Sequence, residues 1–231
     1  MGAEKRERGP YQSGLARREA ILDAAVDLLA EVGYHGMSLR DVARHVGISH
    51  PGVIYHFPSK EVLLMSVVQR YETQLGFDLD SLEKLDALPV LDTLLEVTSR
   101  LNENPMIIEV ECTMMVEASS EIHPAHDHYM RRSERLLTLL KRVWSRLQQD
   151  GKVSATEDPA HLAEIQAAVY NGIMIHWLYD REFNAASELA QYFLSMFLPE
   201  YREELLLHYR ESGWIQSVSY THLTLPTTPY V

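Results

Sequence analysis

Residues 38–57 read SLRDVARHVGISHPGVIYHF, and the spacing of small, apolar and capping residues in this stretch decides the fold. Ser38 with Asp41 forms a capping box, so a helix starts here, with Leu39, Val42, Ala43 and Val46 on its inner face. Gly47 ends that helix. Ser49 can cap a third short helix carrying Val53, and Pro58 stops it. Two helices that cross steeply need a small residue where their backbones approach and a residue tolerant of positive φ at the turn. Ala43 and Gly47 occupy those places, while Val42, Val46, Ile48 and Val53 are the apolar plugs that fix the crossing. The stretch therefore predicts a helix-turn-helix.

Working outward, residues 15–32 predict a preceding helix with Ile21, Ala25, Leu28, Leu29 and Val32 along one face and Gly33 as its stop. On the other side Ser59 caps a long helix, residues 59–79, with Leu63, Leu64, Val67, Val68, Tyr71 and Leu75 inward. Apolar residues keep helical spacing thereafter, and no strand-like alternation or internal repeat interrupts them. Breaks fall near Pro89, Pro105, His123-Pro124, Gly151 to Pro159, and Asp180 to Asn184. The expectation is an all-α chain of about nine helices. Residues 162–178 are apolar or small on nearly all sides, which predicts a helix buried all round.

Composition is that of an ordinary globular chain: 46% hydrophobic and 23% charged over 231 residues, with a single cysteine, Cys112. No apolar run is long enough to span a bilayer, and the charged N-terminus lacks the apolar centre of a signal peptide. A cytoplasmic protein without membrane association is expected, with Cys112 as a buried, unreactive thiol among apolar neighbours. The net charge of −12 argues against nucleic acid until its distribution is considered. Residues 1–60 carry a net +1 and the remainder −13, and His35, His45, His50 and His56 also lie in the first segment. A DNA-facing end joined to an acidic body fits that asymmetry. No phosphate loop, zinc-protease motif or nucleophile-base arrangement is present, so neither catalysis nor a cofactor is expected.

Gly33 to Phe57 followed by PSKEVLL, with a helix before and a long helix after, resembles the DNA-binding domain of TetR-family regulators. SSEIHPAHDHYMRRSERL and YNGIMIHWLYD, followed by an amphipathic helix, are similar to the regulatory half of many members. The resemblance covers roughly residues 15–200. It implies a flexible basic arm at 1–14, a helix-turn-helix domain at 15–58, and a helical regulatory and dimerisation domain at 59–217, with helix 59–79 linking the two. Residues 218–228, VSYTHLTLPTT, read as a translated sequencing-library adapter, so 218–231 is expected to be a non-native tail.

By position, the resemblance implies that Ser49, His50, Gly52, Tyr55 and His56 of the recognition helix face base edges or nearby phosphates, with Arg40, Arg44 and Lys60 as phosphate contacts. Where the family often carries Leu-Tyr this chain has Val53-Ile54, so Tyr55 or His56 must stand in for the missing tyrosine. The family's last two helices pair between subunits, which implies Tyr170, Gly172, Ile173, Trp177, Leu189, Tyr192, Phe193 and Met196 at a homodimer interface. Residues matched to the family's ligand cavity are Leu91, Leu95, Met106, Ile107, Val110, Met114, Trp144 and Met174, accompanied by Leu94 and Met115; flexible thioethers suit an adaptable apolar pocket. The implied function is a repressor that binds a palindromic double-stranded DNA operator and is released by a small-molecule effector. Alternatives are a regulator of the same fold without an inducer, and a helical metal-binding protein using Glu121, His123, His126, Asp127 and His128. The match of His123 to His126 with a family interhelix turn favours no metal there.

Overall fold

The structure, a computed structural model, describes residues 10–215, with side chains from residue 14 onward. The expected adapter-derived tail, 218–231, and most of the expected basic arm lie outside the described residues. Among these the chain forms eleven α-helices, and the only β feature is an isolated bridge between Val153 and Phe197.

Helix α1 (Pro10–Gly36) starts earlier than expected, at a proline suited to a first helical turn. Its regular geometry breaks at Gly33, as expected. Ile21, Ala25, Leu28 and Leu29 are buried, but Val32 is half exposed, a correction to the expected inner face. Helices α2 (Leu39–Val46), α3 (His50–His56) and α4 (Lys60–Gln74) follow. Ser38, Ser49 and Ser59 cap them, and Ser38 and Asp41 make the reciprocal capping box. Leu63, Leu64, Val67, Val68 and Tyr71 are the inner face of α4, which packs on α1. It ends before residue 79 because Gly76 takes φ 83°, turning the chain so that the Phe77 amide returns to the Glu72 carbonyl at 2.9 Å.

The body comprises α5 (Leu79–Leu82), α6 (Ala87–Ser99), α7 (Pro105–Glu117), α8 (His126–Gln149), α9 (Pro159–Tyr179), α10 (Ala185–Met196) and α11 (Pro199–Glu211). The short α5 and the final α11 are additional to the expected nine. Helices α8 and α9 make the most extensive pairing, and α7 reaches α1, α4 and α9. Helix α11 packs on α10, burying Leu205 and Tyr209. Helix α9 departs from the expectation of burial all round: Ile165 and Ile175 are exposed, together with Ala168 and Gly172 one and two turns between them. Cys112 is buried as expected, and burial pushes its thiol up to about 11.

Candidate nucleic-acid interface and buried cavity

The angle between α2 and α3 rests on a few residues. Gly47 adopts φ 72°, ψ 35°, a left-handed conformation that costs a side-chain-bearing residue energy, and its amide closes α2. Val42, Ala43, Val53 and Phe57 are buried beneath the pair, while Val46 and Ile48 are half-buried against the same core. The guanidinium of Arg18 lies 4.9 Å from the Phe57 ring centroid and donates to Ser66 Oγ at 3.2 Å. Arg70 of α4 donates to Glu19 and Asp23 of α1 at 3.3 and 2.8 Å. The end of α3 is thus fastened to both long helices that flank it.

Arg40 and Arg44 of α2 and Tyr55 of α3 are exposed, Tyr55 by 85%. His50 and His56 are partly exposed on α3, and the Tyr55 and His56 rings meet edge to face. Arg44 pairs with Asp41 at 3.1 Å, which offsets part of its charge. Three expected contacts are modified. Ser49 Oγ accepts the Gly52 amide and is used as a cap. A Cβ at Gly52 would meet Ser49 Oγ at 3.3 Å, so this position turns toward its own helix start. Lys60 is engaged inward: its ammonium donates to the Tyr34 carbonyl and lies 4.5 Å from the Tyr34 ring centroid. Burial lowers the Lys60 pKa. The Tyr34 hydroxyl donates in turn to Glu117 at the end of α7, linking the recognition region to the body.

Inside the body, α4, α6, α7, α8 and α9 line a cavity of about 310 Å³. Of the residues expected there, Ile107 and Met174 line it, together with Leu94 and Met115. Leu91, Leu95, Val110, Met114 and Trp144 are core residues instead, each at most 5% exposed, and Met106 packs against that core. The reason is helical phase. Ile107, Ile108, Glu111 and Met115 share the cavity face of α7, continued by Ala118 at its end, whereas Val110 and Met114 occupy its adjoining face, with the Met114 sulfur 3.7 Å from the Tyr34 hydroxyl oxygen.

The sequence reading missed the polar centre of this cavity. Arg132 of α8 donates to Glu111 Oε1 at 2.9 Å and, through its other terminal nitrogen, to Glu72 Oε1. Tyr129 donates to Glu111 Oε2 at 2.6 Å. Burial raises the Glu72 carboxyl to about 7, with Arg132 opposing the rise and Glu111 adding to it. Arg132 remains firmly protonated between its two carboxylates, despite its burial. Tyr129 and Tyr170 are also pushed upward by burial. These residues were detectable by period: Glu72 lies four residues after Val68, Glu111 falls on the Ile107–Ala118 face, and Arg132 lies between Tyr129 and Leu136. On the far side of Arg132 a second, polar cavity of about 330 Å³ adds His128, Arg131, Arg135, Asp78 and Asp80.

The expected dimer residues also divide. Ile173, Trp177, Leu189 and Phe193 are buried within the subunit, and Tyr170 lines the cavity, so none of the five is available to a partner. This corrects the expected interface; the apolar character of α9 did not reveal which side faced inward. Gly172 is exposed, and Tyr192 and Met196 are half-buried. Of the histidine group, His126 Nδ1 pairs with the Ala118 carbonyl at 2.8 Å and His123 Nδ1 accepts the Ala125 amide at 3.2 Å. No three His, Cys, Asp or Glu side chains among the described residues group closely enough to hold a metal.

A helix-turn-helix head is thus joined by α4 to a helical body that holds a cavity. The family model for bacterial regulatory proteins of the tetR family matches residues 21–67, so the helix-turn-helix head carries the DNA-binding domain of that family. The HTH-type transcriptional regulator RutR of Escherichia coli (strain K12) is 40% identical over 55 residues, 24% of this chain and 26% of that protein. The chain thus spans about a quarter of the length of RutR. The HTH-type transcriptional repressor KstR of Mycolicibacterium smegmatis is 26% identical over 165 residues, 70% of this chain and 76% of that one. Among solved structures, SmeT bound to triclosan superposes with a TM-score of 0.64 at 18% identity over 81% of this chain and 94% of SmeT. A TetR transcription regulator of Haloarcula marismortui gives 0.65 at 20% identity, over 80% of this chain and 100% of that one. Both share the fold.

Proposed function

We propose that this protein is a transcriptional repressor that binds a palindromic double-stranded DNA operator as a homodimer and is released when a small molecule occupies the body. It acts in the cytoplasm, as a regulator and not as an enzyme. The observation that carries this reading is that α4 begins beside the recognition helix and ends as a wall of the cavity. One rigid element therefore belongs to both sites, so a ligand that favours one tilt of α4 also favours one placement of the recognition helix.

Arg40 and Arg44 are assigned to phosphates, and His50, Tyr55 and His56 to base edges, with Ser49 and Gly52 contributing through the backbone at the helix start. Lys60 supports this surface from behind through Tyr34. The dimer face is assigned to the exposed side of α9, Ile165, Ala168, Gly172 and Ile175, flanked by Tyr192 and Met196 of α10. A Cβ on Gly172 would meet nothing within 4 Å in its own subunit, so the glycine is explained by close approach of a second helix.

The test is a gel shift with an operator chosen from the DNA flanking the gene. A salt-sensitive shift of the palindrome without a shift of scrambled DNA supports the reading. Equal shifts of both reject sequence-specific repression.

A further inference from the structure

We propose that the effector is an amphiphilic cation, with its hydrocarbon body in the apolar cavity and a single protonated amine against Glu72 at the junction with the polar one. This rests on the reading of the cavity as the effector site and adds the charge of its ligand. The junction holds two carboxylates, Glu72 and Glu111, and one guanidinium, Arg132. Both oxygens of Glu111 are satisfied, one by Arg132 and one by Tyr129. On Glu72 only Oε1 receives a hydrogen bond from a described residue, that of Arg132. Whenever Glu72 is ionised, one negative charge is therefore in surplus where desolvation makes an uncompensated charge costly.

No other basic group at the junction relieves it. Arg135 is committed to Asp80 and Glu83 at 2.6 and 2.8 Å, and Arg131 is exposed. His128 is held toward its neutral form by burial and by Arg132. Asp78 caps α5 through Ser81, and Tyr170 from α9 carries no charge. The remaining wall is mostly hydrocarbon, including Leu94, Ile107, Leu136 and Leu137, and its other polar side chains, among them Ser119, Ser133, Gln166 and Asn171, are uncharged. An anionic head must first take Arg132 from a carboxylate, and a neutral head leaves the surplus unanswered. An ammonium donates to Glu72 and closes the charge balance.

Three probes with one tail and different heads test this: octylamine, octanol and octanoate, titrated calorimetrically into the full chain at neutral pH. Octylamine should bind roughly tenfold or more tighter than octanol, the effect of one charge-assisted hydrogen bond, with octanoate weakest. Glu72→Gln should bring octylamine down to the affinity of octanol while leaving octanol unchanged. Independently of any variant, octylamine should bind the native protein more tightly as pH rises from about 6 to about 8, because Glu72, near 7, loses its proton while the amine keeps its own. Octanol should show no such trend. Octanoate binding tightest, or octylamine equal to octanol, overturns the charge assignment and leaves a ligand cavity in place. Failure of all three to bind overturns both.

Discussion

Lys60 is the residue whose sequence reading changes most. Its place at the start of α4 suggests a phosphate contact, yet its ammonium is held against the Tyr34 ring and carbonyl. We therefore expect Lys60→Ala to lower stability by ~1–2 kcal/mol in urea denaturation, by removing a partly desolvated cation–π contact and hydrogen bond. It should leave the salt dependence of DNA binding nearly unchanged. Arg40→Ala should do the opposite, flattening the slope of log affinity against log salt by about one while leaving stability within ~0.5 kcal/mol. Anisotropy titrations across a salt series separate the two. Glu72 makes a second prediction at this scale. Its carboxyl is raised by burial to about 7 from an ordinary 4.5, so the folded state holds a proton that the unfolded chain releases. That contribution is fully present below about 4.5 and is lost as pH rises through about 7. Melting temperature should fall across this window, and Glu72→Gln should flatten the fall.

Elements were legible to the degree that their surroundings were local. The capping serines, the Gly47 turn and the inner face of α4 follow from rules that act within a few residues, and the structure bears them out. The face of α9 did not follow, because a helix apolar all round has no polar side to mark solvent; its inward side is chosen by α7, α8 and α10. The cavity residues failed for a related reason. Apolar character placed Val110 and Met114 beside Ile107, but a helix turns about 100° per residue, and only the Ile107–Glu111 face meets the void. The exposed α9 stripe makes the element-scale prediction. Ala168→Glu with Ile175→Glu should give a folded monomer with lost operator binding, since two carboxylates at a close helix contact are costly. Ile173→Glu should instead destabilise the subunit by ~3 kcal/mol or more, because Ile173 is 8% exposed in the core. Sedimentation velocity and thermal melts distinguish these outcomes; a stable dimer in the double variant moves the interface elsewhere.

At the scale of the molecule, head and body share helices. Helix α4 runs from Lys60 to the cavity wall, and α7 runs from that wall at Ile107 to Glu117, where it holds Tyr34. A ligand can act on DNA only through its differential affinity for two arrangements of this frame, a coupling of typically ~1–3 kcal/mol. Ala167 lines the cavity, so Ala167→Phe, which fills part of it, should abolish ligand response while operator affinity stays within about threefold, a change of less than ~0.7 kcal/mol. Saturating operator DNA should weaken ligand by the same factor that ligand weakens DNA. Unequal factors measured on one preparation exclude this coupling scheme.

An optical reporter lies directly behind the wall of the cavity. The indole of Trp144 is fully buried and donates to Gln166 Oε1 at 2.8 Å, and Gln166 faces the void. Any guest that competes for that amide alters the polarity sensed by the indole. With Trp177→Phe and Trp214→Phe removing the other two tryptophans, emission from a single chromophore would follow occupancy directly, without labels and in real time.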